Sequence, residues 1–176
     1  FSLSSSEYFK ATMNGSIVQK GGDGSAGWMV SLGTGSPSHV TYSGLLSDSE
    51  GEYLASVSIG RLIIPQGGYP TDNITRSYTK KGAYTYGIPD LPSKSTFNSE
   101  VQYKDPAGVY WSTGFGSGAQ TGSSFMITDT LHTTMADGSK AVKFKATFNC
   151  ILYNMAASAT MSVTNGSFVG YFSDYE

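Results

Sequence analysis

Few residues of this chain have the types and spacing that catalysis needs. His39 and His132 are the only histidines, both stand among serines and threonines, and the chain has no Gly-x-Ser-x-Gly motif. Glycoside hydrolysis needs two facing carboxylates, and Asp105 and Asp129 occupy loop or strand-end positions. Because a sequence cannot pair distant acids, we predict a non-enzymatic chain. A glycan-directed hydrolase with an unassigned carboxylate pair is the alternative.

No metal site is predicted either. Cys150 is the only cysteine, which excludes an intrachain disulfide and a cysteine-based zinc site. Its place on the apolar face of a strand is typical of a small buried hydrophobe. Asp48, Glu50 and Glu52 alternate around a glycine, a spacing reminiscent of the oxygen ligands of Ca²⁺. The full calcium-loop pattern is missing, so we interpret this segment as a solvated turn.

Two glycine-rich segments match the spacing of the dinucleotide-binding fingerprint, 22–27 in its strict form and 114–119 in its looser form. That site needs a helix after the glycines, whose first turn meets the pyrophosphate. Strand-like residues follow both segments instead, such as Trp28-Met29-Val30. We therefore predict no cofactor.

The charge pattern limits the possible partners. Only 14% of residues are charged, the formal net charge is −2, and the lysines and arginines are scattered, with Lys80-Lys81 the densest pair. Binding to nucleic acid or to an anionic membrane surface requires clustered cations, so neither is expected. No apolar run reaches the length of a transmembrane helix.

Aromatic residues are the remaining candidates for binding. Residues 65–97 hold four of the six prolines and four tyrosines, and we interpret this range as a long, mostly irregular excursion with a short strand at 83–86. Long loops of this kind serve as partner-binding surfaces or as lids. Flat aromatic faces, with Tyr110 among them, also suit sugar rings. The candidate binding surface comprises Tyr69, Tyr78, Tyr84, Tyr86, Trp111 and Trp28.

The elements that must position these residues are β-strands. From Ala141 to Asn154 apolar residues occupy every second position, which indicates a strand with one buried face. Runs at 158–164 and 167–172 flank Asn165-Gly166, a dipeptide typical of a two-residue hairpin. Asn14-Gly15 predicts a second hairpin, and Asp137-Gly138 a third turn.

Further strands are expected at 28–32, 39–46, 53–64, 99–104, 109–115 and 123–128. About ten strands with frequent turn signals favour an all-β antiparallel sandwich. We expect a single domain over residues 1–176, with the C-terminal meander at its centre.

Several motifs together resemble a family of secreted, often lipid-anchored, uncharacterised β-sandwich domains of Bacteroidetes. The segments that carry the resemblance are 9–15, 65–69, 101–103, 111–113, 146–154 and 165–172. The resemblance implies an envelope or extracellular location and brings no catalytic residues. A lipid anchor would require a cysteine upstream of Phe1.

These observations lead to one functional prediction with alternatives. We expect an extracellular or cell-surface domain that binds a protein partner, as an interaction or structural subunit of an outer-membrane or surface assembly. A carbohydrate-binding module that uses Trp111, Trp28 and the tyrosines is the first alternative, and the hydrolase is the second.

Overall fold

In the computed structural model of the chain, eleven β-strands account for the regular structure of the described residues. The structure describes residues 6–21, 26–33, 38–48, 50–64, 79–87 and 98–174, without the side chains of 26–33, 38–39, 61–64 and 173–174. The strands are β1 (Tyr8–Met13), β2 (Ser16–Gly21), β3 (Ala26–Gly33), β4 (Ser38–Ser47), β5 (Tyr53–Ile64), β6 (Gly82–Tyr86), β7 (Asn98–Lys104), β8 (Tyr110–Ser112), β9 (Ser124–Thr134), β10 (Lys140–Asn154) and β11 (Thr160–Asp174). This confirms the all-β class.

All eleven strands belong to one sheet with the order β2-β1-β11-β10-β9-β6-β7-β5-β4-β3, and β8 pairs with both β7 and β10. The pairing is antiparallel except between β6 and β7, which are parallel. The sheet curls, so that strands distant in this order pack together. Phe9 of β1 stacks on Tyr103 of β7, and the ring of Tyr42 in β4 meets that of Phe172 in β11 edge-on.

The core lies between these facing parts of the sheet, and β10 supplies one whole row of it. The predicted alternation is confirmed, because every apolar residue of this row is at most 3% exposed: Val142, Phe144, Ala146, Phe148, Cys150 and Leu152. The rings of Phe144 and Phe172 are stacked 3.7 Å apart. Gly44 of β4 lies so close that an added Cβ would be 2.8 Å from the Phe144 ring.

The hairpin predicted at Asn165-Gly166 is wrong. The chain runs straight through these residues within β11, which pairs with β10 on one side and β1 on the other. The left-handed φ of Asn165, 51°, serves a β-bulge instead of a turn. The bulge keeps Gly166 buried against Phe148, where a Cβ would lie only 2.3 Å from the ring.

The other predicted turns are present. Asn14 and Gly15 have φ angles of 46° and 85° between β1 and β2, as a type I′ hairpin requires. Gly138 has a φ of 87° in the β9–β10 turn, where Asp137 Oδ1 accepts hydrogen bonds from the backbone and the hydroxyl of Ser139.

Two strand ends differ from the prediction by three residues or more. Strand β8 ends at Ser112, because Gly116 and Gly118 adopt positive φ in the following loop. Strand β9 continues to Thr134 because the long strand β10 gives it a partner along its whole length. The short strand predicted at 83–86 is β6, whereas residues 65–78 and 88–97 of the predicted excursion lie outside the described residues.

Candidate functional site

The structure describes three of the six aromatic side chains predicted to form a binding surface. Tyr69 and Tyr78 lie outside the described residues, and Trp28 lies in β3, where side chains are not described. Tyr84 is 8% exposed, and its hydroxyl donates to the carbonyl of Lys80.

Tyr86 is also anchored within the sheet. Its hydroxyl lies 3.0 Å from the carbonyl oxygens of Ser124 and Asn149, and its ring packs edge-on against Phe125. Burial raises the pKa of the Tyr86 hydroxyl well above its ordinary value. Tyr86 therefore holds β6 against β9 and β10.

Trp111 lies apart from these tyrosines, in β8, and packs against the core. Its indole Nε1 donates to Asp105 Oδ2 over 2.9 Å. The three described aromatic side chains of the predicted surface thus contribute mainly to packing, and they lie on two separate strands, β6 and β8.

A different pair of aromatic rings reaches the surface near the β7–β8 turn. Tyr110 is 41% exposed and stacks on Tyr53 with ring centroids 5.8 Å apart. The Lys104 ammonium lies 5.5 Å from the centre of the Tyr110 ring and 2.9 Å from Glu52 Oε2. A cavity of about 400 Å³ beside this cluster is also lined by Lys20.

The two acids that stood out in the sequence have structural partners. Asp105 Oδ1 accepts the backbone amides of Ala107 and Val109, and Asp129 lies 2.7 Å from the Lys81 ammonium. Partial desolvation would raise the pKa of Asp105, but its hydrogen bonds from Trp111 and the turn outweigh this and hold the pKa below the ordinary value. The hydrogen bond from Lys81 lowers the pKa of Asp129. Both carboxyls favour the ionised form, whereas a general acid needs a raised pKa.

Asp48 has a comparable role in the β4–β5 turn. Its Oδ1 accepts the backbone amides of Glu50 and Glu52, which fits the predicted solvated turn. Among the described residues, no group of three or more His, Cys, Asp or Glu side chains is placed to hold a metal ion.

Cys150 is 3% exposed within the core row of β10. Burial raises the pKa of its thiol to about 12, although a hydrogen bond from Tyr86 acts in the opposite direction. The thiol is therefore protonated at neutral pH and unreactive.

A groove of about 710 Å³ lies on the outer face of β6, β9, β10 and β11, and we call it the outer groove. Bulges shape it, because β10 shifts register against β9 at Lys145/Ala146 and against β11 at Phe148/Cys150. Its polar lining comprises Ser123, Ser124, Thr147, Asn149, Asn165 and Ser167. Lys145 is the charged residue of the described lining, and Met126, 47% exposed, is the main exposed apolar one. The sequence pair at this bulge, Asn165-Gly166, is also typical of a hairpin turn, and we interpreted it as a turn in the sequence analysis.

Strand β2 forms one end of the sheet order and pairs with β1 alone among the described strands. The two-residue hairpin pairs Met13 with Ser16, and hydrogen-bonded pairs alternate from that point. The backbone N–H and C=O groups of Ile17 and Gln19 therefore point away from β1, toward the open side. Ile17 is 73% exposed. We call the open side of β2 the β2 edge.

The described residues include no helix that is long and apolar enough to cross a membrane. No family model, curated protein or solved structure matches the chain. The resemblance to secreted domains of Bacteroidetes therefore stays a prediction.

Proposed function

We propose that this chain is a non-enzymatic, extracellular or cell-surface domain that binds a protein partner as a subunit of a surface assembly, and that the partner adds a strand to the β2 edge. The observation that carries this proposal is the exposure of β2. A strand with unused N–H and C=O groups on one side is a template for another strand.

The composition of β2 supports this role. Natural edge strands are usually protected from pairing by proline, by charged side chains such as lysine, by a bulge or by being very short. Strand β2 has the sequence Ser-Ile-Val-Gln-Lys-Gly, with no proline and one charged residue, and its register with β1 is regular over all six pairs. Ile17 offers an apolar, β-branched side chain beside the open hydrogen-bonding groups.

The proposed contact region, the β2 edge, differs from the one that the sequence predicted. Tyr84 and Tyr86 were expected to meet the partner, but their hydroxyls and rings are engaged within the sheet. A partner that used them would have to displace these contacts, whereas a partner at the β2 edge displaces no described strand. The edge therefore supports protein binding better than the two described tyrosines do.

A photo-crosslinking amino acid placed at Ile17 tests the proposal in the native envelope. Leu131, which is 51% exposed in β9, is the matched control position. We expect a discrete protein adduct from position 17 and none from position 131. Excess unlabelled wild-type domain should compete the adduct away, whereas a Gln19→Pro domain, which lacks one outward N–H, should not. Equal competition by both domains would contradict strand addition.

The outer groove supports carbohydrate binding as a second candidate function. Its described lining contains hydroxyls, side-chain amides and one lysine, with no acidic side chain, and its volume falls within the range of ligand sites. These groups suit the hydroxyls of a neutral oligosaccharide.

NMR titration with a panel of neutral oligosaccharides tests carbohydrate binding in the outer groove, with Thr147→Val as the groove variant and Thr133→Val, outside the groove, as its control. Shift changes that Thr147→Val abolishes and Thr133→Val retains would support the groove, and the absence of shifts near Thr147 would exclude it.

A further inference from the structure

We infer that the outer groove holds an internal segment of a linear, extended, neutral polysaccharide, with the sugar chain lying across the strands. This inference rests on the carbohydrate binding proposed above as the second function, since it names the substrate class and the binding mode of the same groove. It is independent of the β2 edge. It follows from the order in which the register of the sheet places the lining side chains.

The middle row of the groove runs at right angles to the strands. Met126 of β9 lies opposite Ala83 of β6 on one side and opposite Thr147 of β10 on the other. Thr147 in turn lies opposite Ser167 of β11. All of these residues line the groove, and residues directly opposite in a sheet have neighbouring side chains. With strands about 4.8 Å apart, this row is about 14 Å long.

A second row, parallel to the first, borders the groove on one side. Asn149 of β10 connects the neighbouring strands, because its Nδ2 donates to Ser124 Oγ over 3.3 Å and its Oδ1 accepts the backbone N–H of Asn165 over 2.9 Å. These three residues are exposed, whereas Thr147 and Ser167 of the middle row are half-buried. The hydrogen-bonded row therefore stands above the middle row and forms one wall of the groove.

Charged side chains border the groove on the opposite side. Lys145 of β10, which lines the groove, lies opposite Asp129 of β9. Asp129 forms an ion pair with Lys81 at 2.7 Å, so this border continues toward β6. Both borders run across the strands, in the same direction as the middle row. A chain molecule that lies between them therefore also runs across the strands.

Both ends of the middle row are exposed. Ala83 forms the end at β6, and Lys10 of β1, which lies opposite Ser167, continues the row beyond the groove. Including Lys10, the row is about 19 Å long at a strand spacing of about 4.8 Å. A site for a terminal sugar would be closed at one end. A groove with two exposed ends suits an internal segment of a longer chain.

Two polar groups of the groove are available for hydrogen bonds with a ligand. The Thr147 hydroxyl and the Asn165 carboxamide make no side-chain hydrogen bond to another described residue. Both groups donate and accept, as sugar hydroxyls do. The left-handed φ of Asn165, 51°, belongs to the β11 bulge, and bulges often re-aim a side chain at a binding site. Met126 adds an exposed apolar surface for the C–H faces of the sugar rings.

The straightness of the row favours one kind of linkage. Neighbouring strands turn by only about 20–25° relative to one another, so the row curves little over its length. Chains of β-1,4-linked pyranoses are extended ribbons, whereas α-1,4-linked chains curl into helices. We therefore expect the groove to prefer β-1,4-linked sugars.

NMR titration with oligomers of increasing length tests the inference. The probes are β-1,4-linked oligomers of glucose, xylose and mannose, from the disaccharide to the hexasaccharide, with maltohexaose as the α-1,4-linked comparison. For at least one β-1,4-linked series we expect affinity to rise about tenfold between the shortest and the longest oligomer, since each added hydrogen bond contributes about twofold to tenfold. Shift changes should extend from Thr147 to Lys10 only with the longer oligomers. Maltohexaose should bind more weakly.

Two variants separate the centre of the groove from its end. Asn165→Gly removes the carboxamide but retains the left-handed φ, so it should weaken binding of every length by about fivefold to tenfold, the loss of one hydrogen bond. Lys10→Ala should weaken binding of the hexasaccharide by about threefold to tenfold and leave the disaccharide unchanged. Thr133→Val, outside the groove, should change neither. Urea unfolding confirms that each variant is as stable as the wild type.

The outcomes separate this inference from carbohydrate binding itself. Affinity that does not rise beyond the disaccharide, equal binding of maltohexaose, or equal effects of Lys10→Ala on the shortest and longest oligomers would overturn the linear chain. Carbohydrate binding in the groove would still stand if shifts occurred near Thr147. If no neutral sugar shifts the resonances near Thr147, both are wrong. The crosslinking experiment at Ile17 tests strand addition separately.

Discussion

Strands β10 and β2 are the two extremes of one sheet. Strand β10 has fifteen residues and pairs with β8, β9 and β11, whereas β2 has six residues and pairs with β1 among the described strands. Hydrogen-bonding groups on both sides of β10 are used by neighbouring strands over most of its length, and its inner face is buried. Strand β2 is mostly exposed, and no described strand pairs with its other side. The buried contacts therefore concentrate in the β9–β10–β11 region, whereas the binding that we propose would take place at the β2 edge.

The largest loss of stability is expected from a substitution in the core of the β9–β10–β11 region. Phe144→Ala removes a fully buried ring that stacks on both Phe168 and Phe172. Large-to-small core changes of this kind cost about 3–5 kcal/mol, which we expect as a loss in the free energy of unfolding measured with urea. Leu131→Ala, at an exposed position of β9, is the control and should change that free energy by less than about 0.5 kcal/mol. A small loss for Phe144→Ala would contradict a core centred on β10.

The next effect concerns the bulge in β11. Gly166→Ala places a Cβ 2.3 Å from the Phe148 ring and 2.7 Å from the Phe148 carbonyl oxygen. Because backbone and ring both have to shift, we expect a loss of about 1–3 kcal/mol in the free energy of unfolding. Asn165→Gly retains the left-handed φ and is the control, with little change expected. If Gly166 lay in a solvent-exposed hairpin turn, the alanine variant would not show this packing penalty.

A smaller effect is expected where β10 lacks a strand neighbour. Gln120 acts as a short strand there, since its side-chain amide donates to the Ile151 carbonyl and accepts the Ile151 N–H. Gln120→Ala leaves both backbone groups to water, at a cost of about 1 kcal/mol. Hydrogen exchange should show faster exchange at the Ile151 amide, with Phe144 at the centre of the strand unchanged. Unchanged exchange at Ile151 would contradict this role of Gln120.

The smallest effect on stability is expected at the edge itself. Gln19→Pro removes an N–H that points away from β1, so the free energy of unfolding should change by less than about 0.5 kcal/mol. The crosslinked adduct from position 17 should nevertheless be lost when Gln19→Pro is combined with the photo-crosslinker. A large loss of stability would mean that the Gln19 N–H is used within the monomer.

Local sequence signals predicted the strands better than the connections between them. The alternation of apolar residues was sufficient to predict β10 and its buried face, because a two-residue period depends only on the residues of that strand. Asn165-Gly166 misled because a left-handed asparagine followed by glycine serves a hairpin or a bulge equally well. The choice depends on whether the flanking segments pair with each other or continue along β10 and β1. Strand β1 is about 150 positions away in the sequence, and no local pattern records that pairing.

The candidate sites were predictable only in part for the same reason. A sequence shows that β2 is a strand, but its place at the end of the sheet depends on the pairing of β1 with β11. The outer groove likewise combines residues from four strands around bulges. Tyr84 and Tyr86 were identified by residue type, and whether a tyrosine packs inward or faces a partner is decided by tertiary contacts.

Residue-resolved hydrogen exchange of the β2 amides in the purified domain tests the central claim, an open β2 edge, most directly. The Val18 amide, paired with β1, should be protected. The amides of Ile17 and Gln19 should exchange rapidly. Protection of both amides would show that the edge is already occupied and would contradict its role in binding.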